Sequence, residues 1–186
     1  MAPLPKYLTQ DELKRFLAAI DAPRDRALFG LIYHYGLRVS EALRLTVDDV
    51  PFTNQRITVR RFKNGLGGEK PLWRHTATRL RRSLRERRDV GPYPCTGRKG
   101  PLQKRQGQKR FTDYTKAAGI QERSVHALRH SMAVHLLEAG RGSEDVADPL
   151  RHENIQNTRI YAQITNPLRE QVLRELEQHP KIVRIS

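Results

Sequence analysis

Apolar positions recur at helical spacing along most of this chain and alternate at strand spacing over only short runs. Thr9, followed three residues later by Glu12, makes a capping box, and the spacing predicts a helix from there to about Ile20. Pro23 suits the first turn of a second helix, with Leu28, Leu31 and Ile32 on its apolar side and Gly36 as its stop. Ser40 can cap a short third helix from Glu41 to about Leu45. Arg56–Phe62 and Lys70–Trp73 read as two strands, with Asn64-Gly-Leu-Gly-Gly as the hairpin turn between them. A helix is predicted over 75–88, and the Pro-, Gly-, Arg- and Lys-rich stretch 89–107 is expected to be a loop, disordered without a ligand. Further helices are predicted over 109–118, 125–139, 155–163 and 166–178. Lys181-Ile-Val-Arg-Ile alternates like a lone strand that needs a partner. The expected fold class is mainly α with a small antiparallel β-sheet (α+β).

Composition adds bounds. The 186 residues give room for one ordinary domain with a real core. Hydrophobic residues make up 37% with no long apolar run, which excludes a membrane span, and the N-terminus has no signal-peptide pattern. Cys95 is the one cysteine, with no Cys or His at zinc-finger spacing, so the default is a cytosolic protein without metal.

Charge is more informative. Lys plus Arg number 35 against 20 Asp plus Glu, a net of +15. Residues 56–110 hold eighteen basic and three acidic side chains and therefore the entire excess, mostly as arginine, whose planar fork suits phosphate oxygens. A solubilising surface would not be confined to one stretch. The concentration points to a polyanion, nucleic acid above all.

Three places carry candidate chemistry. In Val125-His126-Ala-Leu-Arg129-His130 the positions i, i+3 and i+4 put a cation and two imidazoles on one helix face. In Gly36-Leu-Arg38-Val-Ser-Glu41 an arginine stands in the turn before a helix, where free N–H groups already favour an anion; a pair with Glu41 is the plainer reading of it. In Leu150-Arg-His152 and on to Tyr161, a tyrosine follows a histidine by nine positions. Taken singly, each is weak.

Together these boxes resemble the signature of the tyrosine recombinase (phage integrase) family, in family order and at family-like spacing, from Leu8 to about residue 165. The resemblance implies the catalytic-domain fold of DNA breaking–rejoining enzymes. It implies that Arg38 and Arg129 clamp the scissile phosphate, and that Tyr161 attacks phosphorus to give a 3′-phosphotyrosine and a free 5′-hydroxyl. Lys63, in the hairpin, would protonate the departing oxygen, a place for which Lys70 is the second choice. His126 and His152 would assist at the phosphate, Glu41 would orient the cluster from behind, and His130 would support it. Backbone contacts to DNA are expected from Arg60, Arg61, Lys70, Arg74, Arg81, Arg82, Arg85, Lys104, Arg105, Lys109 and Arg110. His34, His75, His135 and His179 read as structural or exposed.

The pattern departs from the family at Arg151, where glycine is usual, and at Pro149. The expected organisation is a linker-like lead-in (1–8), a catalytic domain (9–178) and a tail (179–186) that docks on its own sheet or is exchanged with a neighbour. The N-terminal clamp domain common in the family is expected to be missing, either because the chain is an excised fragment or because it is a natural one-domain member. Expected partners are double-stranded DNA, a tetramer of the chain on paired sites formed from free monomers, and accessory DNA-bending proteins, with no membrane, metal or ATP; the expected location is the cytoplasm, nucleoid-associated when bound. The alternatives are type IB topoisomerase-like relaxation and a non-catalytic DNA-binding protein derived from an integrase. An RNA-binding module is disfavoured by 6% aromatics without a stacking pattern.

Overall fold

A computed structural model describes residues 6–60, 68–87, 91–97 and 100–141. They form helices α1 (Gln10–Ala19), α2 (Pro23–Tyr35), α3 (Val39–Arg44), α4 (Arg74–Glu86), α5 (Lys104–Ala117) and α6 (His126–Glu138). Two antiparallel ribbons accompany them: β1 (Arg56–Val59) with β2 (Gly68–Pro71), and β3 (Thr96–Gly97) with β4 (Gly100–Pro101). Arg56 pairs with Pro71 and Val59 with Gly68. The chain divides into two compact units, Lys6–Met132 and a second made of Met1–Pro5 with Ala133–Ser186. Of the second, the described part is the end of α6, closed by Gly140 at φ 75°.

Within Lys6–Met132 the core is continuous. Phe16 of α1, Phe29 of α2 and Phe111 of α5 meet in a fully buried aromatic triangle with ring separations of 5.4, 5.0 and 5.8 Å. Two of the pairs, Phe16–Phe29 and Phe29–Phe111, are edge-to-face and the third is tilted, contacts that add packing energy beyond their area. Helix α2 is central. Asp25 and Phe29 face α5, through bonds from Arg110 and Tyr114 and the ring contact with Phe111. Gly30 and His34 face α4, where Arg79 and Thr76 meet them. At 100° per residue these two faces lie about 140° apart. Both neighbours run antiparallel to α2, so the N-termini of α4 and α5 stand at the end where α2 stops.

The sequence reading holds for α1, whose capping box is present, and for α2, which begins at Pro23 and ends on Gly36 in the left-handed region at φ 57°. Helix α3 starts earlier than the Ser40 cap implied, with Arg38 as N-cap, because the Glu41 carboxylate takes the N–H of Arg38. The larger correction concerns 89–107, expected as a ligand-dependent loop. Its described part contains the β3–β4 ribbon and the first turn of α5, which starts at Lys104 and not 109. Leu102 is buried and bonds back to the Cys95 carbonyl, and Gln106 Oε1 accepts the Gln103 N–H at 2.9 Å. Gly107 completes the anchor: a Cβ there would stand 3.3 Å from Val39, so its absence lets α5 close on α3. The predicted helices 155–163 and 166–178 and the tail strand lie outside the described residues.

Candidate active site

The turn from α2 to α3 carries the first arginine. Gly36 donates its N–H to the Ile32 carbonyl, Leu37 follows it to the same acceptor at 3.2 Å, and Leu37 is buried. The chain emerges at Arg38, which is extended at φ −69°, ψ 150°. Glu41 is buried behind it: Oε2 accepts the Arg38 N–H at 2.7 Å and Oε1 accepts Nη1 at 3.2 Å. The arginine side chain is 51% exposed while the carboxylate is 1% exposed. A buried anion therefore aims an outward-facing cation, and the pair with Glu41 that the sequence offered as the plainer reading of Arg38 is present.

Helix α6 carries the second arginine. Arg129 is buried and donates from Nη1 to the Gly36 carbonyl, a very short contact. His126 opens the same helix one turn before it. Part-burial of the imidazole, then the charges of Lys104, Arg129 and Arg38, hold its pKa below the ordinary 6.5. Three cations thus act on one imidazole. Lys104, the first residue of α5, joins this cluster although nothing in its spacing marked it as more than a backbone contact. The helix is pinned further by Ser131, whose Oγ accepts the Leu8 N–H at 2.8 Å and donates to the Ala127 carbonyl at 2.7 Å. His130 is half-buried on α6.

Beside the cluster, an open cleft of about 760 Å³ runs between α3 and the start of α5, with Arg44, Arg60 and Lys104 among its walls. Arg60 repeats the Arg38 device: its Nε donates at 2.7 Å to Asp49, whose carboxylate is 2% exposed while the arginine is 76% exposed. Asp49 is held in turn by the N–H and hydroxyl of Thr46, both at 2.8 Å. The T-x-x-D spacing of Thr46 and Asp49 is the sequence signal for this brace, which the sequence reading did not include.

The remaining cations divide by face. Arg74, Arg81, Arg82 and Arg85 are exposed on α4, across α2 from α5, with Arg81 over the Phe52 ring at 4.8 Å. Arg105 is exposed on α5, and Lys109 pairs with Asp113 at 2.9 Å. Arg110 turns inward: its Nη1 donates to Asp25, which is fully buried and also accepts from Arg24 and Tyr114. That engagement leaves it holding α5 against α2. Lys70 is half-buried on β2, opposite Ile57. Lys63, Arg61, His152 and Tyr161 lie outside the described residues. His34 donates or accepts at Thr76 Oγ1, 2.7 Å away, as befits a packing residue, and His75 is exposed.

Residues 6–167 match the family model described as the phage integrase family. The chain belongs to the phage integrase family. This integrase chain is 34% identical over 174 residues to the tyrosine recombinase XerA of Pyrococcus horikoshii, a match covering 91% of the chain and 61% of that protein. It thus spans about three fifths of the length of that relative. The crystal structure of XerA recombinase superposes with a TM-score of 0.79 at 24% identity, over 98% of this chain and 66% of that one. The XerH site-specific recombinase bound to its difH substrate, in a pre-cleavage complex, gives a TM-score of 0.73 at 26% identity, over 86% of this chain and 50% of that one. The integrase fold, mostly helical with a small antiparallel sheet, is the one that the sequence pattern predicted. No helix among the described residues is long and apolar enough to cross a membrane.

Proposed function

We propose that this chain is the catalytic part of a site-specific DNA recombinase that cuts and rejoins duplex DNA through a phosphotyrosine at Tyr161. The observation that carries the reading is the gathering of Arg38, Arg129, His126 and Lys104 where α2 ends, with the Glu41 carboxylate already engaged behind Arg38. Such a cluster is unfavourable when empty and favours a phosphodiester, whose non-bridging oxygens gain negative charge in the transition state. The exposed guanidinium of Arg38 and the imidazole of His126 contact that phosphate, while Arg129 fixes the turn that presents Arg38. DNA as substrate is further supported by the XerH complex with difH.

In the reaction, the Tyr161 oxygen bonds to phosphorus as the bond to the 5′-oxygen breaks. The tyrosine proton passes to a base, for which His152 and His126 are the choices, and Lys63 gives a proton to the departing oxygen. Rejoining is the same step reversed by a 5′-hydroxyl, so the ester bond is conserved and no ATP is consumed. The finer elements of this reading are a tetramer on paired sites, exchange of the tail 179–186 between protomers, and a domain spanning 9–178.

Covalent trapping tests the proposal. Nicked suicide duplexes built from DNA flanking the protein's own gene are incubated with wild type and with Tyr161→Phe, then resolved on denaturing gels. A retarded protein–DNA band present only in wild type is the expected result. Equal bands in both would reassign the nucleophile, and DNA binding with no band in either, even when a family clamp domain is supplied, would reduce the chain to a binding protein.

A further inference from the structure

The seam between α2 and α4 holds a second group of cations, on the opposite side of α2 from Asp25 and α5. Arg79 lies half-buried against Gly30, and its Nη1 meets no acceptor among the described residues. A Cβ at position 30 would stand 3.3 Å from that nitrogen, so glycine is what admits the guanidinium to the seam. Arg26 stands one turn before Gly30 on the same face of α2, the face against which Arg79 lies. Its Nε is anchored on the Ile20 carbonyl at 2.7 Å, which orients the group without neutralising it. The guanidinium of Arg79 is pulled below its ordinary pKa by burial and then by the charge of Arg26, a like charge.

Carboxylates close in sequence are committed elsewhere. Asp25 turns toward α5, with Arg24, Arg110 and Tyr114 as its partners. Glu86 accepts from Arg82 at 2.8 Å. Two guanidinium groups of like charge on one seam, without an ion pair among the described residues and one with a buried unsatisfied N–H, cost stability unless an anion joins them. The fork geometry of two arginines offers more N–H donors than a carboxylate can use, and matches a tetrahedral oxyanion.

We propose that Arg26 and Arg79 form a binding site for a single phosphate group in the α2–α4 seam, distinct from the Arg38–Arg129 cluster. His75, at i−4 from Arg79, lies exposed on the same flank of α4. The phosphate belongs either to a free phosphate compound or to the backbone of bound DNA.

Phosphate binding to the full chain, measured by calorimetry with inorganic phosphate at fixed ionic strength, tests the site. Arg38→Ala serves as the background so that the other cluster contributes less. In that background one phosphate is expected to bind, and adding Arg79→Met weakens it about tenfold or more, while Arg79→Lys retains part of the binding. Circular dichroism and the unfolding midpoint check that each variant folds. Should Arg79→Met not fold, Gly30→Ala, which presses a methyl group toward Nη1, is expected to weaken phosphate in its place. Unchanged affinity in both Arg79→Met and Gly30→Ala, or no phosphate bound in the Arg38→Ala protein, overturns the proposal. A duplex DNA titration separates the sources: weaker duplex binding by Arg79→Met in the Arg38-intact protein assigns the site to a backbone phosphate, and unchanged duplex binding assigns it to a free phosphate compound.

Discussion

The guanidinium of Arg129 donates to the backbone carbonyl of Gly36, two residues before Arg38. Residues 93 positions apart are thereby joined, and each side of the joint carries one of the two arginines of the proposed site. Gly36 can offer that carbonyl because its left-handed φ of 57° ends α2 and turns the chain toward α3. Arg129 therefore does two things at once: its charge faces His126, and its N–H holds the loop from which Arg38 projects.

Arg129→Gln should consequently lose both stability and function. It removes a buried charge-assisted bond and leaves the Gly36 carbonyl short of a donor, a loss of about 1–3 kcal/mol. Arg129→Lys keeps the charge without the planar fork and is expected to recover stability only in part. Urea unfolding beside covalent-complex yield checks this. Full stability in the Gln variant would show that the joint is not structural.

Glu41→Gln separates orientation from folding. The amide oxygen still accepts the Arg38 N–H, so α3 remains capped and the unfolding midpoint stays near wild type. The guanidinium, however, loses its ionic anchor, and charge-assisted bonds of this kind amount to roughly 1.5–3 kcal/mol, or about 10- to 100-fold in rate if felt in the transition state. Single-turnover cleavage of suicide duplexes is the measurement. A rate within twofold of wild type would mean that the phosphate, when present, orients Arg38 unaided.

How much of this was legible beforehand depended on range. The capping box at Thr9 and Glu12, Pro23 at the start of α2 and Gly36 at its end are local signals, and they placed α1 and α2 closely. The motifs that together resemble the family signature likewise marked Arg38, Glu41, His126 and Arg129. The start of α5 was not legible, because its anchors are tertiary: buried Leu102, the Cys95 carbonyl and the approach of Gly107 to Val39. For the same reason Lys104 looked like one basic residue among many, and Arg110 looked like its equal. Only the fold shows one beside His126 and the other bonded to a buried carboxylate.

Asp25 is the test of that inward commitment. It is fully buried and collects Arg24, Arg110 and Tyr114. Asp25→Asn keeps the shape but strands two guanidinium groups, and breaking one side of a buried ionic network costs about 3–5 kcal/mol. Denaturant unfolding should show a loss in this range, with the Asp25→Asn, Arg110→Met double variant losing less than the two singles added together. Additive losses would mean that Arg110 and Asp25 act independently.

His34 sets an acid limit on stability. Burial first, then the charges of Arg79 and His75, push its pKa from the ordinary 6.5 down to about 4, while its ring stacks on Trp73 with centroids 4.8 Å apart. In the unfolded chain the imidazole takes up a proton below pH 6.5; in the folded chain it resists until about pH 4. The unfolded state therefore binds more protons across that interval, so stability falls as pH drops from 6.5 to 4 and is unaffected by this group above it. A shift of this size corresponds to roughly 3 kcal/mol by the acid end of the window. His34→Gln can still bond Thr76 but cannot titrate, so its stability should fall less steeply over the same interval, although it starts lower at pH 7 for want of the stacked ring. Urea midpoints collected from pH 7 to pH 4 would decide it: parallel curves for wild type and variant would show that the acid sensitivity comes from other groups.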